Sequence, residues 1–167
     1  MTFSSPSTFA PALLSSAEMH DLFRFFHEIE KELWSRYKIK DQGSYAEHLV
    51  AKALGASLLR NSVNKGFDLK HESYGRIEVR SRRYPLDGRR EDRVQLPNVK
   101  SGLFDFFVHV VFDPDFSVFG AYLVPHDTIA ALASASKNRY VRFSEGCALS
   151  DATDITFKVR KARNLHG

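Results

Sequence analysis

Two acidic residues, Asp68 and Glu78, are the part of this sequence whose types and spacing suggest chemistry. Each lies in a short run that alternates polar and apolar residues, and a Gly-containing connection of five residues, His71 to Gly75, separates the two runs. This pattern predicts a β-hairpin in which Lys70 pairs with Arg76. Asp68 would then face Glu78, with their Cβ atoms roughly 4.5–5.5 Å apart.

Side chains alternate across a strand, so the predicted hairpin has one apolar and one polar face. The apolar face, which we expect to join a core, consists of Phe67, Leu69, Ile77 and Val79. The polar face consists of Asp68, Lys70, Arg76, Glu78 and Arg80. Two facing carboxylates repel each other, and a hard divalent cation that takes oxygen ligands relieves the repulsion. The pair therefore predicts a site for Mg²⁺ (or Mn²⁺); the alternative is an exposed hairpin whose acids are offset by its own cations.

Two helices and a short strand are predicted ahead of the hairpin. Apolar residues at helical spacing follow Ser16, a candidate N-cap, and predict a long amphipathic helix to about Tyr37. We expect its aromatic stripe to pack in a core or to form a dimer face. A second helix, from about Ser44 to Leu54, places the carboxylate of Glu47 at the margin of an apolar stripe, where it requires a partner such as a nearby Lys or Arg. Leu58 to Asn61 predicts a short strand.

The second half of the chain predicts further strands around a buried centre. Phe104 to Phe112 is apolar nearly throughout, which is typical of a strand buried on both faces. Phe116 to Val124 is predicted to return as its antiparallel neighbour, and a short helix over Thr128 to about Ser134 follows. Two more short strands are predicted, at Arg139 to Phe143 and, as an edge, at Ile155 to Val159.

Basic residues are concentrated between Arg76 and Lys100, most of them in a long polar connection from Arg82 to Lys100. A strip of this kind can neutralise the phosphates of a nucleic acid, and its alternative is a solvated surface loop. The candidate nucleic-acid-binding residues are Arg76, Arg82, Arg83, Arg89, Arg90, Arg93 and Lys100. Asp105 and His109 interrupt the apolar central strand, and we expect them to be satisfied polar groups instead of ligands.

Composition favours one domain of ordinary globular type, with residues 1–15 as a flexible lead-in and residues 16–167 as the domain. Cys147 is the single cysteine, so a disulfide framework is excluded and a reducing, cytoplasmic setting is expected. No apolar run reaches the length of a membrane span, and the N-terminus has no signal-peptide pattern. The net charge of +4 favours a polyanionic partner. Glycine-rich phosphate loops and the H-E-x-x-H and G-x-S-x-G motifs are absent from the sequence.

A helix bearing Glu47, a strand bearing Asp68, a turn and the run Ile77-Glu78-Val79-Arg80 follow one another in an order that resembles the PD-(D/E)XK nuclease superfamily. The resemblance covers about residues 43–82. It implies the restriction-endonuclease-like fold, an α/β domain with a mixed central sheet flanked by helices. It also implies that Glu47, Asp68 and Glu78 bind Mg²⁺ (or Mn²⁺), and that the protein hydrolyses phosphodiester bonds in DNA as a restriction- or repair-type endonuclease.

The sequence departs from the family pattern at Arg80, which occupies the position of the family's Lys. A guanidinium cannot act as a general base at neutral pH, although it can bind a phosphate or stabilise negative charge. Activity then requires that the metal alone activates water, or that Lys70, on the same face, substitutes. The predicted catalytic residues are Asp68, Glu78, Arg80 and Lys70. The alternatives are a catalytically degenerate nuclease fold that binds nucleic acid or a protein without cleavage, and an interaction domain whose helix over residues 16–37 forms a homodimer.

Overall fold

The structure is a computed structural model that describes residues 14–59, 66–99, 102–135 and 139–163. Contacts divide the chain into two compact units, residues 1–40 and 41–167. A single domain over residues 16–167 stays a prediction. Most of the predicted lead-in, residues 1–15, lies outside the described residues. No helix in the described ranges is long and apolar enough to cross a membrane.

The first unit contains helix α1, Met19–Tyr37. The predicted N-cap at Ser16 is wrong, because Ser16 lies in a turn where the Ala17 N–H donates to the Leu14 carbonyl (3.4 Å), and Glu18 is the N-cap. No residue of α1 is buried. Packing of its aromatic stripe into a core is therefore not observed, and the dimer face stays a prediction.

The second unit contains a mixed six-stranded sheet in the order β1-β2-β3-β5-β6-β8. Its strands are β1 (Ser57–Leu58), β2 (Leu69–His71), β3 (Gly75–Arg83), β5 (Phe106–Phe112), β6 (Val118–Pro125) and β8 (Thr153–Asp154). Strands β3 and β5 pair in parallel, and the other neighbours pair antiparallel. A second sheet joins β4 (Val94–Gln95) to β7 (Tyr140–Val141). The predicted α/β architecture with a mixed central sheet is confirmed.

Helices flank both faces of this sheet. They are α2 (Gln42–Leu54), α3 (His126–Ala135), α4 (Phe143–Cys147) and α5 (Thr156–Arg163). Buried residues of α2 and α5 pack with Leu69, Ile77 and Val79 in one core cluster. The other cluster joins α3 to Phe107 and to the β4–β7 pair. Strand β5 contributes to both clusters, which confirms the prediction that it is buried on both faces.

The predicted hairpin register is confirmed, since Leu69 pairs with Ile77 and Lys70 pairs with Arg76. His71 and Gly75 also pair, so the connection is three residues long and not five. The predicted face of Phe67 is wrong, because Phe67 packs with the cluster that contains Phe107. It precedes β2, and the positive φ of Gly66 (69°) redirects the chain just before that strand begins.

The predicted edge strand at Ile155 to Val159 is also wrong, since helix α5 begins at Thr156. Ile155, Val159 and Ala162 are buried, a helical spacing of four and three residues, whereas Phe157 is 78% exposed. The Asp154 carboxylate accepts a hydrogen bond from the Thr156 N–H (2.8 Å) at the start of this helix. The sheet edge is instead formed by β8, which pairs with β6.

Several predicted boundaries shift in the structure. Strand β3 extends to Arg83 and β4 lies within the predicted polar connection, so that segment is partly ordered by pairing with β7. The strand predicted at Arg139 to Phe143 is shorter, because α4 begins at Phe143. Helix α3 is longer than predicted, and Asn61 of the first predicted strand lies outside the described residues.

Candidate functional site

Asp68 and Glu78 come from the two strands of the hairpin and lie next to each other. Asp68 immediately precedes β2, and its N–H donates to the Ile77 carbonyl (2.9 Å), which continues the strand pairing. Its carboxylate oxygen Oδ2 accepts a hydrogen bond from the Val79 N–H (2.8 Å). The side chain of Asp68 is therefore directed toward β3 at Val79. Glu78 and Arg80 are the residues before and after Val79.

The carboxyl groups of Asp68 and Glu78 are close enough for the charge of Asp68 to act on Glu78. Burial raises the pKa of Asp68, against the opposing effects of the Val79 N–H and of Arg80. Burial, followed by the negative charge of Asp68, raises the pKa of Glu78 to about 7. Two buried carboxyls that lie this close resist carrying two negative charges at once.

Arg80 lies on the same face as these two acids. Its Nη2 is 2.7 Å from Oε1 of Glu78, and its side chain is 48% exposed while that of Glu78 is 8% exposed. The positive charge of Arg80 lowers the pKa of both carboxyls. The alternative of an exposed hairpin is wrong for Glu78, which is buried, although one of the hairpin's cations, Arg80, does offset part of the charge of the acids.

Helix α2 brings Glu47 toward this pair. The helix begins with a capping box in which the Ser44 N–H donates to Asp41 Oδ1 (2.8 Å), and Gln42 Nε2 donates to Ser81 Oγ of β3 (3.1 Å). Glu47, one turn further on, is half-buried, and its negative charge contributes to the raised pKa of Glu78. Within the described ranges, however, no group of three His, Cys, Asp or Glu side chains is arranged to bind a metal ion. The structure shows a two-carboxyl site with a third carboxylate close enough to act on it electrostatically.

Arg76, predicted to bind nucleic acid, is engaged in a two-pronged ion pair with Asp105. Its Nε lies 3.0 Å from Oδ2 and its Nη2 lies 2.9 Å from Oδ1, and its backbone N–H also donates to Oδ2 (2.8 Å). These contacts lower the pKa of Asp105. Asp105 is therefore the satisfied polar group that was predicted, and Arg76 ties β3 to the start of β5.

Four of the other basic candidates contact nearby groups: two form ion pairs with acids close in the sequence, and two lie over aromatic rings. Arg89 pairs with Asp87 (2.7 Å) and Arg93 with Glu91 (2.9 Å), each two residues away. Arg83 lies over the ring of Phe116 (4.4 Å), and Arg90 lies 5.4 Å from the rings of both Tyr84 and Phe119. Lys70 and Arg82 are exposed, and Lys100 lies outside the described residues.

His109 was predicted to be a satisfied polar group, and this prediction is wrong for one of its two ring nitrogens. It pairs in register with Arg80 across β3 and β5, so it lies on the same face of the sheet. Its Nδ1 is 3.3 Å from the Tyr122 hydroxyl, and its Nε2 is buried without a hydrogen-bond partner among the described residues. Burial lowers the pKa of His109 to about 3, so the ring is neutral at physiological pH. Its interruption of an apolar strand was the only signal in the sequence.

No protein-family model matches this chain, and no curated protein matches it either. The class of protein is therefore described by its fold and its site. It is an α/β protein with a mixed sheet, in which an Asp and a Glu lie side by side next to an arginine.

Proposed function

We propose that this protein is a metal-dependent nuclease with a restriction-endonuclease-like fold, which hydrolyses phosphodiester bonds in DNA. The observation that carries the proposal is the juxtaposition of Asp68 and Glu78 across the hairpin, with Arg80 on the same face. The half-buried Glu47 on α2 supports it, because its charge reaches the same pair. A reducing, cytoplasmic location is part of the proposal and agrees with the single cysteine.

The proposal requires a hard divalent cation at this site, although no group of three His, Cys, Asp or Glu side chains in the described ranges is arranged to bind one. Two carboxyls that resist simultaneous ionisation become stable as a pair of anions when a cation lies between them. Asp68 and Glu78 would hold Mg²⁺ (or Mn²⁺), and Glu47 would add negative charge. When bound, the metal supplies electrophilic stabilisation of the phosphate and lowers the pKa of a coordinated water.

The basic side chains of the site would then act on the phosphate. Arg80 has a fork of N–H donors, and its half-exposed guanidinium can donate to a phosphate oxygen while it pairs with Glu78. It cannot take a proton from water, so its role would be to bind and to stabilise charge. Lys70, exposed on the neighbouring strand, would supply a second cation on that face.

A cleavage assay on supercoiled, linear and single-stranded DNA with Mg²⁺ or Mn²⁺ tests this function. We expect Asp68→Asn and Glu78→Gln each to reduce the rate by at least about 100-fold, because even groups that only support metal ligands cost about 10–100-fold. Glu72→Gln, in the exposed turn of the same hairpin, is the matched control and should cleave normally. Arg80→Lys, which restores the family residue, should retain or increase the rate.

DNA binding without cleavage, or binding of a protein partner by the same fold, is the second candidate function. It is favoured by the Glu78–Arg80 ion pair, which already neutralises one of the two acids without a metal. Chelator-insensitive, salt-dependent DNA binding by a wild-type protein that never cuts would establish this second function and refute the first.

A further inference from the structure

Helix α1 presents an apolar stripe whose large side chains are exposed in the described part of the chain. Its large residues are Met19, Leu22, Phe23, Phe26, Ile29, Leu33, Trp34 and Tyr37. Their exposed fractions range from 37% for Leu33 to 74% for Met19. Glu30 is the one charged residue whose position falls within the stripe. The charges on the opposite side pair within the helix, Lys31 with Glu28 (2.8 Å) and Arg24 with Asp21 (4.0 Å).

The size of this stripe approaches that of a protein interface. Phe, Tyr and Trp side chains bury roughly 150–250 Å² each, so the four aromatic residues of the stripe at about half exposure offer on the order of 400 Å². Its four aliphatic residues enlarge this area. The largest apolar patch on a typical monomer is about 300–600 Å², and a stable interface buries about 800 Å² per partner. The stripe is therefore large for a monomer and suited to a two-helix contact.

The charge of α1 argues against a polyanionic partner on this surface. From Glu18 to Lys38, the basic residues are Arg24, Lys31, Arg36 and Lys38, and the acidic residues are Glu18, Asp21, Glu28, Glu30 and Glu32. Helices that bind anionic membranes or nucleic acids carry an excess of Lys and Arg on the polar face. A helix without a basic excess but with a wide aromatic stripe is suited to another helix of the same kind.

The ends of α1 complement each other electrostatically. Glu18 and Asp21 lie at its N-terminal end, and Arg36 and Lys38 lie at its C-terminal end. Glu18 and Arg36 are separated by roughly five full turns, so they lie along the same edge of the stripe. In an antiparallel pair centred near His27, Glu18 of each helix faces Arg36 of the other, and the helix dipoles are opposed favourably.

We propose that α1 forms the interface of a homodimer, by packing its aromatic stripe antiparallel against α1 of a second copy of this chain. The proposal is independent of the nuclease function, since it concerns the other compact unit.

Sedimentation of the full chain over a range of concentrations tests the proposal. We expect a species of twice the 19.0 kDa monomer mass. Phe26→Glu, at the centre of the stripe, should raise the dissociation constant at least tenfold. Phe157→Glu is the matched control, because Phe157 is also an exposed phenylalanine of a helix (78% against 55% for Phe26) but lies in the other unit. It should leave the dimer intact.

A charge exchange tests the antiparallel orientation. Glu18→Arg and Arg36→Glu should each weaken the homodimer, and an equimolar mixture of the two variants should form a heterodimer, because both inter-helix contacts then join opposite charges. Lys31→Glu, on the opposite side of the helix, should have no effect on association. A monomer at every concentration, a dimer that survives Phe26→Glu, or a mixture that does not associate would each overturn the proposal.

Discussion

At the scale of single residues, burial is the main cause of the raised pKa values of Asp68 and Glu78 in the candidate site. The alternation around Asp68 and Glu78 is enough to predict that they face each other, because register in a short hairpin is determined locally. Their raised pKa values could not be predicted in this way. Glu78 is buried because β5 pairs alongside it and sets Phe107 in register with it, and β5 is distant in the sequence.

Removing the Glu78 carboxyl should change how stability depends on pH. The folded-state pKa of Glu78 is raised from 4.5 to about 7, so the folded protein binds more protons than the unfolded chain in that window, and stability falls as pH rises through it. His109 has the opposite effect, because its pKa is lowered from 6.5 to about 3 and stability rises with pH up to 6.5. We expect Glu78→Gln to remove most of the decline, of which the raised pKa of Asp68 keeps a part, and to give a gain on the order of 1–3 kcal/mol at pH 8.

Thermal unfolding in the absence of divalent ions, from pH 4 to pH 8, measures this. His109→Gln provides the converse control, since it should remove the rising limb and leave the decline. A Glu78→Gln profile that runs parallel to wild type would show that this carboxyl does not carry a raised pKa.

At the scale of elements, local periodicity predicts well where it is unambiguous and fails where two periods compete. The central strand β5 is a continuous apolar run, and it lies where predicted. In the last segment, Ile155, Phe157 and Val159 alternate as in a strand, but Ile155, Val159 and Ala162 also fit a helix. Contacts with β6 decide between them, since the Thr156 hydroxyl accepts a hydrogen bond from the Ala121 N–H (2.9 Å). The β4–β7 pairing was likewise unpredictable, because two-residue strands joined over a long separation leave no local signal.

Two substitutions in α5 distinguish the helix from the predicted strand. Val159→Ala should destabilise the protein by about 2 kcal/mol, because Val159 is fully buried and leaves a cavity. Phe157→Ala should change stability by less than about 0.5 kcal/mol, because Phe157 is exposed. Denaturant unfolding measures both. Equal losses at the two positions would favour a strand with both side chains on one buried face.

At the scale of the whole molecule, the formal charge of +4 overstates what is available to a nucleic acid. Several arginines of the predicted basic strip pair with neighbouring acids or lie over aromatic rings. Charge counting along the sequence could not show this for Arg76, because its partner Asp105 is 29 residues away in the sequence, just before β5. The arginines of this strip therefore differ in how available they are to a phosphate.

The salt dependence of DNA affinity separates these candidates. Arg82→Ala should weaken binding and reduce the slope of log affinity against log salt concentration by about 1, the loss of one phosphate contact. Arg76→Ala should leave that slope unchanged and instead reduce stability by up to about 1 kcal/mol, since its pair with Asp105 is partly exposed. An unchanged slope for Arg82→Ala, or a reduced one for Arg76→Ala, would contradict this assignment.

The parallel pairing of β3 with β5 also affects the order in which the molecule assembles. The β2–β3 and β5–β6 pairs join strands that follow each other closely along the chain, whereas β3 and β5 meet only after the connection from Tyr84 to Asp105 has closed a large loop. Loop closure costs entropy before distant contacts offset it, so we expect the two hairpins to join slowly and late in folding. Until they join, Asp68 and Glu78 would be solvated, and they would become weak acids only when the sheet is complete.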